Sequence, residues 1–303
     1  MVLRIGHLST LYHTSTAMIA RNKILDGFRA DITWRLFGTG PAIIEAMAKG
    51  EIDLAYVGLP PAMIGIDGGM KMKCIAGGHI EGTVFASRKE ARGYPDIKRL
   101  SDVLSQFTMI GVPGKGSIHD LILMDALGSS GSSAKVRNFG WSDEVLEAFI
   151  KGDIEAAVGT PALAQAIISF AGGKVIYPPH LIWPDNPSYG IVVTETLMQT
   201  SRDLIRDFLI RHETASKLLR EEREDLSRDI ARLMGVVDEQ FVSDTLDISP
   251  RYCAALTDGY IDCTMRLKDR MKELGYIKGD ISQDDVFDLT LIEEVHPGSD
   301  HYR

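Results

Sequence analysis

EAMAKGEIDLAYVGLPP, residues 45–61, decides the fold, because a close copy, EAFIKGDIEAAVGTPA, returns at residues 147–162. Each copy reaches Lys-Gly (Gly50, Gly152), passes through acid-Ile-acid, and enters a short apolar run that breaks at Pro60 or Pro161. Ile43, Ile44 and Met47 in one copy, and Val145, Leu146 and Phe149 in the other, recur at three- and four-residue steps. That spacing predicts a helix with one apolar face, stopped by the glycine just past its end. Residues 54–57 and 156–158 are apolar without alternation, as in strands covered on both faces of a parallel sheet. Proline soon after each strand predicts a new helix, because a missing N–H costs nothing in the first turn. That helix then begins at the carboxyl end of a strand, where open α/β sheets bind ligands and where helix N-termini favour negative or hydrogen-bond-accepting groups.

A second correspondence extends the duplication. Residues 4–8 with a helix over 16–21 match residues 109–112 with a helix over 117–127. The fold class expected is α/β with two similar lobes. Lobe one is expected to hold residues 1–90 and 190–303, including a helical C-terminal segment, and lobe two residues 91–189. The charged segment 88–102 reads as the first crossing between them, and the proline-rich run 178–187 as the return.

The chain of 303 residues, 45% of them hydrophobic, suffices for two globular units. Its 33 basic and 42 acidic residues give a net charge of -9, which argues against a track for nucleic-acid phosphates. Three cysteines, Cys74, Cys253 and Cys263, are too few and too scattered for a disulfide framework or a zinc site, though a single Cys253–Cys263 bridge stays open. Neither a cofactor nor a metal is expected. No run reaches the roughly 18 to 20 apolar residues a membrane span needs. The chain enters a strand at Val2 without the pattern of a secretory leader. The expectation is an extracytoplasmic protein if a leader has been removed, and a cytoplasmic one otherwise.

Candidate ligand residues fall in the turns after strands. Ser9, Thr10, Tyr12, Thr14 and Ser15 place five hydroxyls beside the His13 imidazole, and Tyr12, His13 and Thr14 are the expected contacts; helix capping is the alternative. Gly38 and Thr39 lead into the duplicated helix through a glycine-rich turn whose N–H groups can approach a ligand. Glu81 sits where a carboxylate could face the cleft or remain a solvated loop charge. In GVPGKGSIHD, residues 111–120, Ser117 and Asp120 resemble a capping box, so Lys115, Gly116 and Ser117 read as an anion-binding turn. The spacing does not match a P-loop. Ser142 reads as the N-cap of the second duplicated helix, and Trp141 as either a core residue or an aromatic wall of the site. Thr160 offers a hydroxyl at a strand end. Ser188 and Tyr189 should lie near the hinge. The stretch 201–274 is charged and amphipathic, the segment 284–294 should fold back on lobe one, and residues 298–303 should be loose.

With repeats and crossings placed, the chain resembles the solute-binding proteins of nitrate, sulfonate and taurine type ABC importers, in a superfamily that includes thiamine-pyrimidine binders. GTGPAIIEAMAKGEIDLAYVGLPPAMI, GVPGKGSIHDLIL and DVFDLTLIEE carry the resemblance. It implies a two-lobe type II periplasmic-binding-protein-like fold that closes over a small-molecule ligand and presents it, as a monomer, to ABC permease subunits. It also implies ligand contacts at residues 11–14, Gly38, Thr39, Gly58, Leu59, Glu81, residues 115–117, Thr160, Ser188 and Tyr189. Members commonly carry Glu-Pro where this chain has Thr160-Pro161. Two alternatives accompany the binding protein. One is an enzyme on the same fold, for thiamine-pyrimidine or menaquinone-precursor synthesis, with His13, Glu81 and His119 as acid-base groups. The other is a ligand-sensing module.

Overall fold

The structure is a computed structural model that describes residues 1–8 and 10–302. Lobe one begins with β1 (Val2–Leu8), α1 (Thr14–Ala20), a 3-10 turn (Asn22–Leu25), β2 (Asp31–Phe37), α2 (Gly40–Ala48), β3 (Leu54–Val57), α3 (Leu59–Asp67) and β4 (Met72–Ile80). Then follow β5 (Val84–Arg88), α4 (Leu100–Leu104), β6 (Met109–Pro113), α5 (Ile118–Ser130), β7 (Lys135–Phe139), α6 (Ser142–Lys151), β8 (Ala156–Gly159), α7 (Pro161–Ala171), β9 (Gly173–Tyr177) and α8 (Pro179–Ile182). The chain returns through β10 (Pro187–Thr194) and ends in helices. These are α9 (Glu195–Thr200), α10 (Arg202–Glu221), α11 (Arg223–Met234), α12 (Glu239–Ile248), α13 (Asp258–Glu273), α14 (Gln283–Val286) and α15 (Thr290–Val295).

The two sheets have the same plan. One runs β2-β1-β3-β10-β4 and the other β7-β6-β8-β5-β9. Gly6 pairs with Ala55 in the first, and Gly111 with Ala157 in the second, so the repeats match in register as well as in order. The fourth strand of each sheet is exchanged. β10, which follows lobe two in the chain, lies antiparallel to β3 in lobe one, and β5, which follows lobe one, lies antiparallel to β8 in lobe two. Both duplicated strands are wholly buried, as their unbroken apolar sequence requires. Each duplicated helix is followed by a glycine at positive φ, 68° at Gly50 and 81° at Gly152, where a side chain would be strained.

Several expectations are corrected here. The first crossing lies at residues 81–83 and not at 88–102, because β5 pairs with β8 and β9 in the second sheet. β4 runs on through residues 78–80 to the crossing. The N-cap of α6 is Trp141, not Ser142; Glu144 reaches back to accept from the N–H groups of Gly140 at 2.8 Å and Trp141 at 3.1 Å. All three cysteines are free. The C-terminal helices serve both lobes. α10 and α11 pack on α1, whereas α12 packs on α7 through a Phe170–Phe241 stack at 5.7 Å. The segment around Phe287 pairs with Cys74 of β4, so the tail does fold onto lobe one. It continues to hold through Tyr302, which is buried, so residues 298–302 are not all loose. Arg303 lies outside the described residues. Among those residues no helix is long and apolar enough to cross a membrane.

Candidate functional site

The topology aims helix N-termini at one cleft. In each lobe the strands other than the exchanged one run toward the cleft and helices leave it, so the N-caps gather between the lobes. Thr39 of α2, Gly58 of α3, Ser117 of α5, Trp141 of α6 and Thr160 of α7 all line one cavity, and these helices run from nine to thirteen residues. Two come from lobe one and three from lobe two. Each helix start carries roughly half a positive charge and N–H groups without intrahelical partners. No lysine or arginine lines the cavity among the described residues, and its one carboxylate, Asp143, is exposed.

The lobes meet across the mouth. A Cβ on Gly38 would lie 2.6 Å from the Gly140 carbonyl oxygen and 2.7 Å from the Trp141 ring, and one on Gly114 would lie 2.9 Å from the Thr39 side chain. Glycine at 38 is therefore what lets the two lobes touch. Between the lobes lies a cavity of about 60 Å³, room for a small solute.

Its floor is polar and incompletely paired. The turn after β1 brings Thr10, Tyr12 and His13 to the cavity, with Thr10 Oγ1 and His13 Nδ1 buried and without a hydrogen-bond partner among the described residues. Buried polar atoms are nearly always paired, so two orphans on one cavity wall point to a ligand that completes them. His13 packs against Tyr189 with ring centroids 3.9 Å apart and against Tyr12 at 4.7 Å. Burial, reinforced by His79, His7 and His119, holds its pKa well below the ordinary histidine value. Burial likewise lowers His119 to about 4. Both are neutral near pH 7 and offer hydrogen bonds rather than charge. Ser188 completes the polar wall: its Oγ–H donates to His79 Nδ1 at 2.8 Å while it accepts from Gly82 N–H at 2.6 Å. His79 Nε2–H donates to the Ser249 carbonyl at 2.5 Å, which fixes the tautomer.

Of the expected contacts, Tyr12, His13, Gly38, Thr39, Gly58, Ser117, Trp141, Thr160 and Ser188 meet at this cavity. Others lie elsewhere. Leu11 and Leu59 are core residues, and Thr14 and Tyr189 sit beneath the floor, where the Tyr189 hydroxyl meets Thr14 N–H at 3.0 Å and Thr14 Oγ1 meets His212 Nδ1 at 3.0 Å. Glu81 does not face the cleft; it pairs with Arg251 at 2.8 Å and accepts from Asp185 N–H at 3.1 Å, tying the two crossings together. Its φ of 59° belongs to this tight crossing.

The glycine turn at residues 114–117 holds an anion of its own. Asp120, fully buried, accepts from Gly116 N–H at 2.7 Å, Asn138 Nδ2 at 2.9 Å and the Tyr276 hydroxyl at 2.8 Å, while Ser117 caps Asp120 N–H at 3.2 Å. Lys115 is exposed and neither it nor Gly116 lines the cavity. Sequence reasoning missed Leu8, Gly40, Pro61, Pro113, Ile118 and Asp143, and passed over Thr10 and Ser142 as contacts. Four of these, Gly40, Ile118, Ser142 and Asp143, lie one or two places from an N-cap, and adjacency to the caps would have found them.

Two α/β lobes joined by paired crossings around a polar, helix-capped cleft are the two-lobe architecture of the periplasmic-binding-protein type. The chain belongs to the NMT1-like family, whose profile it matches over residues 2–235. A relative from Brucella abortus, whose name describes a binding protein, is 30% identical over 130 residues, which is 43% of this chain and 38% of that protein. The chain thus spans well under half of the relative in that match. In structure it is similar to the alkanesulfonate-binding protein from Xanthomonas axonopodis pv. citri, solved with MOPS bound, with a TM-score of 0.81 at 17% identity over 94% of this chain and 98% of that one. It is also similar to the periplasmic nitrate-binding protein from Synechocystis, with a TM-score of 0.77 at 11% identity over 98% of this chain and 88% of that one.

Proposed function

We propose that the protein captures a small polar or anionic organic solute between its lobes and delivers it, outside the cytoplasm and as a monomer, to the permease of an ABC importer. The observation that carries this reading is the convergence of five helix N-caps from both lobes on one cavity whose floor holds two unpaired buried polar atoms. N-terminal dipoles attract negative charge, each contributing about 0.3 to 1 kcal/mol, without the fixed cation that would slow release. Thr10, His13 and Ser188 suit a polar head group, and Pro113, Ile118 and Trp141 an apolar remainder. The names of similar proteins, which include binders of alkanesulfonate and nitrate, agree with such a ligand class.

The enzyme alternative receives less support. Glu81 pairs with Arg251 and does not line the cavity that His13 and His119 line. Ser188 and His79 make a serine–histidine contact, but burial lowers His79 to about 3, too weak a base to activate a hydroxyl at neutral pH. A thermal-shift panel on protein unfolded and refolded to strip carried-over ligand tests the reading, with alkanesulfonates, nitrate, carboxylates, thiamine-type pyrimidines and amino acids. A ligand present at 100 times its Kd stabilises the fold by about 2.7 kcal/mol. The reading expects a hit that is recovered chemically unchanged. A hit converted to product, or stabilisation by cationic solutes alone, contradicts it.

A further inference from the structure

Away from the cleft, three metal-ligating side chains meet at the C-terminal tail. Cys253 lies on an extended segment along the outer side of β4, where its N–H donates to the Gly78 carbonyl at 3.3 Å. His296 follows the last turn of α15. His301 precedes Tyr302, whose hydroxyl donates to the carbonyls of Cys253 at 2.8 Å and Ala255 at 3.0 Å and so docks the tail independently of any ion. Cys253 Sγ is 3.5 Å from His296 Nε2 and 3.7 Å from His301 Nδ1, and those nitrogens are 3.1 Å apart. A tetrahedral zinc ion with bonds of about 2.05 Å to nitrogen and about 2.3 Å to sulfur separates two nitrogens by about 3.3 Å and nitrogen from sulfur by about 3.6 Å. The side chains already stand at nearly those separations.

The sulfur is also held in place. Cys253 Sγ accepts N–H bonds from His301 at 3.4 Å and Ala255 at 3.5 Å. The cysteine is buried, His296 half-buried and His301 exposed, which leaves an entry path and a fourth position for water. We propose that Cys253, His296 and His301 form a zinc site that clamps the C-terminal tail over the edge strand of lobe one. One thiolate and two imidazoles suit zinc, and exclude magnesium and calcium, which take oxygen ligands. Among the described residues His296 Nδ1 has no partner, so no outer acceptor there orients that ring. No motif marks the site, because the histidines lie 43 and 48 residues from the cysteine.

The test uses tag-free protein stripped with a chelator and titrated with cobalt(II) and then zinc(II). The site gives one equivalent of bound metal and a near-ultraviolet thiolate-to-cobalt absorption band that zinc abolishes. Cys253→Ser removes the band. His301→Ala, at an exposed position that leaves folding intact, weakens zinc binding by more than the roughly 100-fold that loss of an outer-shell partner costs. Absence of the band from the wild type, or equal zinc affinity in wild type and His301→Ala, shows a hydrogen-bonded cluster only and overturns the site.

Discussion

The turns that follow β1 and β6 are equivalent in the duplicated plan, yet they serve opposite ends. In lobe one the turn leaves Thr10 Oγ1 and His13 Nδ1 buried at the cavity wall and unpaired among the described residues. In lobe two the turn closes on its own carboxylate, and Asp120 receives donors from Gly116, Asn138 and Tyr276. A duplicated unit thus keeps one turn open for a guest and fills the other from within. The difference has a physical basis: a buried polar atom must find a partner either in the chain or in a ligand.

Acid should separate the lobes most strongly. Burial holds His79 at about 3 and His212 at about 4 in lobe one, with His13 lowered too, whereas lobe two has His119 at about 4. These residues are neutral in the fold, and the unfolded chain takes up protons below about pH 6.5. Their contribution is therefore complete above pH 6.5 and is lost as pH falls toward 4, by up to about 1.4 kcal/mol per pH unit for each group. Hydrogen exchange at pH 7 and pH 5 should show lobe one opening first; equal loss in both lobes breaks the comparison. Next in size, Asp120→Ala should lower stability by about 3 kcal/mol in chemical denaturation, since three donors lose a charged acceptor. A loss below about 1 kcal/mol would mean that the turn is not held from within.

Gly38→Ala tests the contact between the lobes. Its Cβ meets the Gly140 backbone, a clash that opening relieves, so ligand affinity should fall by about 1 to 3 kcal/mol while ligand-free stability is unchanged. Smallest and sharpest is the pair Thr10→Val and Lys115→Ala, measured by calorimetric titration with a ligand from the panel. Thr10→Val should weaken binding by about 1 to 2 kcal/mol without destabilising the ligand-free protein, because the hydroxyl it removes has no partner there. Lys115→Ala should change affinity by less than about 0.5 kcal/mol, as an exposed side chain outside the cavity. The reverse order would exchange the roles of the two turns.

The duplicated unit was legible because its information is local: helix period, a glycine stop, an unbroken apolar strand and a proline start all lie within some twenty residues. The exchanged strands were not. Val84–Arg88 is a short apolar run that fits either sheet, and only its pairing with β8 and β9 places it. Glu81 misled for the same reason, since its partner Arg251 is 170 positions away in sequence. The Gly-rich turn at 114–117 reads as an anion site whether the anion is a guest or Asp120, and the sequence carries both readings equally. Nine of the candidate contacts reach the cavity because strand ends and N-caps are predictable. Which N-cap is left open depends on pairings across the fold.

The most direct test of capture between lobes is small-angle X-ray scattering on ligand-stripped protein before and after saturation with a panel ligand. Closure of two lobes onto a solute should reduce the radius of gyration and bring the scattering curve into agreement with the closed structure. Identical curves from free and fully bound protein would contradict the account and place binding outside the cleft or on a rigid scaffold.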